Sequence, residues 1–258
     1  MPHILITNDD GVMAPGLLAL AQEIQTLPEA KITILAPDRN WSASGHVKTL
    51  HRPLRVKPVT LPGGLTAYAS DGAPSDCVAV ALLGYLEEPV DFVISGINPY
   101  ANIGHDVTYS GTVTAAMEAV IGGIPGMAIS LDTPEHAARE TDYGPAARAA
   151  RQIAARVLAD GLPKNTLLNV NVPFLPETEI KGWQLTRQGL RVYKDQLDRR
   201  VDPRGRPYFW IGGEAPTGVP EAGTDFGALH QGYISITPLQ LDLTDYKTLA
   251  KLRAWEQG

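Results

Sequence analysis

The chain has 258 residues, with 28 acidic and 22 basic side chains and a formal net charge of −6. That length suits one large α/β domain or one domain with an extension, and an acidic chain with no block of like charge is a poor partner for a nucleic-acid backbone. The single cysteine, Cys77, excludes an intrachain disulfide and a cysteine-based zinc site, and in the apolar run SDCVAVALL it reads as a buried structural thiol.

HILIT (3–7) is a β-branched apolar run and reads as a buried strand. It stops at Asn8, and two carboxylates follow at once, Asp9 and Asp10. Two unit charges about 4 Å apart repel by roughly 4 kcal/mol at an effective dielectric near 20. Solvent, a helix N-terminus, a basic side chain or a metal must offset that. Pro15 then opens a helix through Leu17, Ala21 and Ile24. Further strands are read at KITILAP (31–37), DFVIS (91–95) and GMAIS (126–130). Ser75 is placed to cap a helix through Val78, Ala81 and Leu82. Ser110 or Thr112 starts another through Val113, Met117 and Val120, closed by Gly122, Gly123 and Pro125. A helix over about 143–159 ends before Gly161, and LLNVNVP (167–173) returns as a strand.

Strand and helix in alternation predict an α/β fold with a Rossmann-like, doubly wound, mostly parallel sheet covered on both faces. Beyond residue 175 the pattern turns alternating, aromatic and polar, with the turn-rich tip DPRGRP between KGWQLTRQGLRVY and PYFWIGG. This predicts a protruding β-hairpin. YISITPL (233–239) is another strand, and an amphipathic helix closes the chain. The expectation is a single domain over 1–258: a core of about 1–175 plus the strand at about 233–239, an arm of about 176–230, and a C-terminal helix at about 244–256. The N-terminus lacks a signal-peptide pattern, and no apolar run approaches the roughly 20 residues that span a bilayer. A cytoplasmic protein with no membrane partner is expected.

In open parallel sheets ligands bind beyond the carboxyl ends of the strands. The residues there are Asn8-Asp9-Asp10-Gly11, Asp38-Arg39-Asn40-Trp41-Ser42 and Ser95-Gly96-Ile97-Asn98. They are rich in oxygen donors and contain no histidine, which suits Mg²⁺, Mn²⁺ or Ca²⁺ better than zinc. A metal on Asp9 and Asp10 would turn their repulsion into a shared attraction. Taken singly, an acidic residue after a strand is more often a cap or turn former, and Asp38 reads as a turn residue or a partner of Arg39. Ser110-Gly111-Thr112 at a helix start offers free N–H groups, a glycine and two hydroxyls, a pocket for an anion, although an ordinary N-cap explains the same residues. A phosphate between that pocket and a cation is the arrangement for phosphate-ester hydrolysis.

In the stretches ILITNDDG, APDRNWS, GAPSDCV, SGIN and YSGTVTAAMEA, which come in order over most of the first 120 residues, the chain resembles the SurE (survival protein E) family of acid-phosphatase-like 5′/3′-nucleotidases. The later part is similar in general plan only. The resemblance implies hydrolysis of nucleoside monophosphates, with activity on short polyphosphate as an extension. It implies one divalent ion per subunit, Mg²⁺ or Mn²⁺ (or Ca²⁺ in a crystal), held by Asp9, Asp10, Ser42 and Asn98, with Asp9 and Asp10 as the catalytic carboxylates. It implies phosphate contacts from Asn102, Ser110, Gly111 and Thr112, and homodimers or homotetramers built through the C-terminal arm. His105 is a weaker candidate for the leaving-group acid. Two departures stand out: Ala43 where the family has glycine after the serine, and Pro99-Tyr100-Ala101 where it has x-Gly-x. The rival readings are a metal phosphatase acting on polyphosphate or a sugar phosphate, and a non-enzymatic receiver-like module. A receiver needs an aspartate where DFVIS ends in Ser95, and a nicotinamide-binding dehydrogenase needs glycines where the chain has NDDG.

Overall fold

A computed structural model describes residues 1–134, 137 and 141–257. In chain order these form β1 (His3–Thr7), α1 (Pro15–Ile24), β2 (Lys31–Pro37), β3 (Val56–Thr60), β4 (Thr66–Ser70), α2 (Pro74–Val80), β5 (Phe92–Asn98), α3 (Gly111–Ile121), β6 (Gly126–Asp132) and α4 (Gly144–Asp160). Then come β7 (Thr166–Pro173), β8 (Trp183–Leu185), β9 (Arg191–Val201), β10 (Pro207–Gly218), α5 (Asp225–His230), β11 (Ile234–Gln240) and α6 (Tyr246–Leu252). The main sheet runs β3-β4-β2-β1-β5-β6-β7-β11-β8, with β9 and β10 as a separate hairpin. Only the β3–β4 and β7–β11 pairs of the main sheet are antiparallel. The mostly parallel, doubly wound expectation holds.

β1 shows why its sequence is a continuous apolar run. Successive side chains of a strand point to opposite faces, and both faces are covered. Ile4 and Ile6 pack with Leu17, Leu20 and Ile24 of α1 and Ile153 of α4. Leu5 packs on the other face with Cys77 and Val78 of α2 and Ala115 and Ala119 of α3. Cys77 is fully buried there, as its surroundings in the sequence suggested, and burial pushes its thiol up. Because β2 lies on one side of β1 and β5 on the other, the winding reverses at β1. The crevice that forms at such a reversal opens at the carboxyl ends of these strands.

Three local features differ from the sequence reading. β5 continues to Asn98 instead of ending at Ser95, because Gly96 (φ +140°) lies against β6, where a Cβ would come within 2.3 Å of the Ile129 carbonyl. The β5–β6 register shifts between Ser95 and Asn98 to accommodate this. α2 begins at Pro74 and is capped by Asp76, which accepts from the Ala73 N–H at 2.9 Å, while the Ser75 hydroxyl goes to the Val47 carbonyl. The β3–β4 hairpin was not anticipated. Pro58 lies within the first of these strands, at the edge of the sheet, where proline is tolerated.

The hairpin arm is where the aromatic pattern placed it, with its tip at Asp202, whose Oδ1 accepts from the Arg204 and Arg206 N–H groups at 2.8 and 2.9 Å. Phe209, Trp210 and Ile211 are exposed on it, and Tyr246 and Leu249 of α6 are exposed as well. Among the described residues no helix is long and apolar enough to cross a membrane.

Candidate active site

The NDDG turn is built around Asn8, which is fully buried. Its Oδ1 accepts from the Gly11 N–H at 3.2 Å and its Nδ2 donates to the Gly11 carbonyl at 3.0 Å. Gly11 has φ +103°, a conformation that glycine adopts at no steric cost. Two main-chain bonds of 2.7 Å, Val12 N–H to Pro37 O and Trp41 N–H to Asp9 O, dock the turn on the loop after β2. The two carboxylates are thus held at the sheet's carboxyl edge.

Asp9 is buried at the start of α3. The Thr112 hydroxyl donates to its Oδ1 at 2.5 Å, and the nearby Gly111 and Thr112 N–H groups favour its charged form. Gly111 is needed for this approach, since a Cβ there would lie 2.7 Å from Asp9 Cβ and 2.9 Å from Oδ2. A helix start therefore supplies part of the offset that the adjacent charges require. It does not supply all of it. Burial still holds the Asp9 carboxyl above its ordinary value. Burial and the Asp9 charge together raise Asp10 to about 7. Among the described residues no ion pair reaches either group, and Asn40 Nδ2 approaches Asp10 only at 3.5 Å.

The expected metal ligands lie at or beyond the carboxyl ends of three neighbouring strands, β2, β1 and β5. Ser42 follows Trp41, the residue bonded to Asp9, and its own N–H donates to Asn40 Oδ1 at 2.7 Å. Ala43 has φ +57°, which explains physically why a glycine would suit that position. Asn98 ends β5, and its Nδ2 donates to the Tyr100 carbonyl at 2.5 Å, which leaves Oδ1 as the atom available to a cation. Among the described residues there is no cluster of three or more His, Cys, Asp or Glu side chains that could hold a metal. Two carboxylates supplemented by neutral oxygens from Ser42 and Asn98 fit a hard divalent cation.

The expected phosphate contacts are more firmly built than a surface loop. The Asn102 side chain donates to Ser130 Oγ at 2.9 Å, and its carbonyl accepts from Asn169 and Asn171 of β7 at 2.7 and 3.1 Å. Ser110 is the N-cap of α3, accepting from the Val113 N–H at 3.1 Å, and its hydroxyl proton remains to donate. The cap and anion readings are thus compatible. The Thr112 hydroxyl, by contrast, is given to Asp9. His105 is exposed, and its described hydrogen bond is through its carbonyl, to the Thr108 hydroxyl.

Beside Asp10 a cleft of about 390 Å³ is lined by Met13, Asp38, Arg39, Pro99 and Tyr143, among others. Tyr143 was missed in the sequence. Its phenol is raised by burial and by the neighbouring Asp10 and Tyr100. The available signal was topological: α4 follows β6, so Tyr143, the N-cap just before it, returns to the same carboxyl edge.

Paired carboxylates at a topological switch point, docked on a helix start, define an α/β protein that handles a phosphate group at the carboxyl edge of its sheet. The family described as Survival protein SurE matches residues 4–195. A 5′-nucleotidase SurE of Herpetosiphon aurantiacus is 49% identical over 250 residues, covering 97% of this chain and 96% of the relative. That of Geobacter sulfurreducens is 49% identical over 254 residues, covering 98% and 94%. The crystal structure of the SurE protein from Aquifex aeolicus superposes with a TM-score of 0.82 at 40% identity, covering 99% of this chain and all of that one. The chain belongs to the SurE family.

Proposed function

We propose that the chain is a 5′-nucleotidase, a phosphoric monoester hydrolase that releases phosphate from nucleoside 5′- and 3′-monophosphates. The observation that carries this reading is the buried Asp9, held by Thr112 and the α3 start and paired with an Asp10 whose charge no described cation meets. Relatives named 5′-nucleotidase that match along nearly the whole chain support it. Asp9, Asp10, Ser42 and Asn98 would hold one divalent ion per subunit, Mg²⁺ or Mn²⁺. When bound, that ion supplies a Lewis acid and an activated water. Asp9 is kept in place for it by the Thr112 hydroxyl. The Asn102 amide and the Ser110 hydroxyl orient the phosphoryl oxygens, and the cleft flanked by Met13, Pro99 and Tyr143 receives the rest of the substrate. The exposed Phe209, Trp210 and Ile211 of the arm join subunits into a dimer or tetramer, and the protein works in the cytoplasm.

The test is phosphate release over a panel of nucleoside monophosphates, sugar phosphates and short polyphosphate, with and without EDTA, for the native chain and Asp9→Asn. Nucleotides should turn over fastest, EDTA should stop the reaction, and Asp9→Asn should lose at least about a hundredfold. Full turnover in EDTA, or a sugar phosphate or polyphosphate outpacing every nucleotide, would overturn the reading.

A further inference from the structure

Between Asn102 and Ser110 the chain makes one short helical turn, Gly104–Thr108. This turn is gripped by the root of the arm. The Asp106 carboxylate accepts from Arg191 Nε at 2.7 Å and from the Tyr193 hydroxyl at 2.6 Å. Arg191 and Tyr193 are alternate residues of β9 and so share a face. The Asp106–Arg191 pair is largely shielded, with side chains 19% and 15% exposed. Two residues earlier, the Gly104 N–H donates to Asp225 Oδ2 at 2.8 Å, and the Gly104 carbonyl accepts from Gln188 Nε2 at 2.8 Å. Asp225 is fully buried, and its Oδ1 accepts from the Gly189 and Phe226 N–H groups at 2.7 and 2.8 Å. The fit is close, since a Cβ on Gly104 would come within 2.7 Å of the Gly189 carbonyl.

The main chain of Asp106 faces the other way, toward the site. Its carbonyl accepts from the Ser110 N–H at 3.1 Å and the Tyr109 N–H at 3.0 Å, and its own N–H donates to the Ile103 carbonyl at 3.1 Å. One residue thus links the arm, through its carboxylate, to the N-cap of α3, through its carbonyl. A hairpin that served only to contact another subunit would need no shielded charge pair beneath this turn, where desolvating the charges is costly.

We propose that Asp106, clamped by Arg191 and Tyr193, is a positioning residue that holds Asn102 and Ser110 in register for the substrate phosphate, so that the root of the arm belongs to the phosphate-binding framework. The inference rests on the reading of Asn102 and Ser110 as phosphate contacts. Its test compares Tyr193→Phe, Asp106→Ala, the double variant and Ser110→Ala, with Mn²⁺ present. The measurements are kcat and KM for p-nitrophenyl phosphate, the inhibition constant of inorganic phosphate, and the Mn²⁺ concentration that gives half-maximal activity. Tyr193→Phe removes one hydroxyl without disturbing the turn, so it keeps the test valid if Asp106→Ala folds poorly. Tyr193→Phe should raise KM and the phosphate inhibition constant together by about 3- to 10-fold, the range of one hydrogen bond. Asp106→Ala should do the same or more, with kcat and the Mn²⁺ midpoint within about twofold of native, as expected when binding alone is weakened. The double variant should be no worse than Asp106→Ala alone. A raised inhibition constant in Ser110→Ala with none in Tyr193→Phe, or additive effects in the double variant, overturns the positioning role. An unchanged inhibition constant in Ser110→Ala overturns the phosphate assignment and this inference with it.

Discussion

Asp10→Asn separates the cost of the acidic pair from its use. Without a cation, burial and the Asp9 charge raise the Asp10 carboxyl from 3.8 to about 7. Between those values the folded chain binds a proton that the unfolded chain has released. Stability therefore falls as pH rises through that window and stays lowered above it. The shift corresponds to about 4 kcal/mol at 1.36 kcal/mol per pKa unit. Solvent at this partly open group, and titration shared with Asp9, reduce that to about 1–3 kcal/mol. Asparagine keeps the shape and removes the charge. In chelator at pH 8, Asp10→Asn should raise the unfolding midpoint by about 2–10 °C for a domain of this size. Near pH 4.5 most of that gain should vanish. Excess Mn²⁺ should invert the order, because a ligand at a hundredfold over its dissociation constant adds about 2.7 kcal/mol to a protein that binds it, and Asp10→Asn should bind little. Thermal unfolding in EDTA and in Mn²⁺, at both pH values, reads all of this. A variant less stable than native in chelator at pH 8, or one with the native Mn²⁺ shift, would refute the reasoning.

Gly111→Ala puts a methyl group 2.7 Å from Asp9 Cβ. It should cost about 1–3 kcal/mol of stability by overpacking and lower phosphate release at least tenfold. Since alanine is the better helix former, a gain in unfolding midpoint with native activity would count against the close approach. Ala43→Gly relieves a left-handed alanine at φ +57°. Strain relief of about 1–2 kcal/mol against about 0.5–1 kcal/mol of added chain entropy predicts an unfolding midpoint equal to native or higher, and a clear drop by calorimetry would contradict it. Replacing residues 194–207 by a short glycine linker removes the tip and the part of β9 that pairs with Tyr208, Phe209 and Trp210, and the mass by light scattering should fall. An unchanged mass would show that subunits meet elsewhere.

The site was legible where the chain passes abruptly from a buried strand to polar residues. β1 is covered on both faces, so its sequence is apolar without a break, and the change at Asn8 marks where cover ends. The same logic located the ends of β2 and β5, within three residues for the latter, where Gly96 let the strand run on. What was not legible depends on partners far away in sequence. Glu118 lies within the apolar face of α3, yet it is buried because His46 and Lys48 reach it at 2.8 and 3.0 Å, some 70 residues earlier in the chain. Asp225 reads as an ordinary helix-start acid, yet it holds Gly104, 121 residues away.

Tyr193 is the instructive case. In the sequence it is one of several aromatics around the polar turn of the arm. Its hydroxyl instead donates within its own chain, to Asp106. Residue type and periodicity report the apolar body of a tyrosine, whereas its polar end is placed by tertiary contacts alone. The arm and the catalytic edge therefore look like separate regions in the sequence, although Asp106 and Asp225 join them. Any contact that loaded β9 would act on the same strand that grips the 104–108 turn. A partner that moved the arm would shift the turn only as far as those hydrogen bonds differ between its two positions.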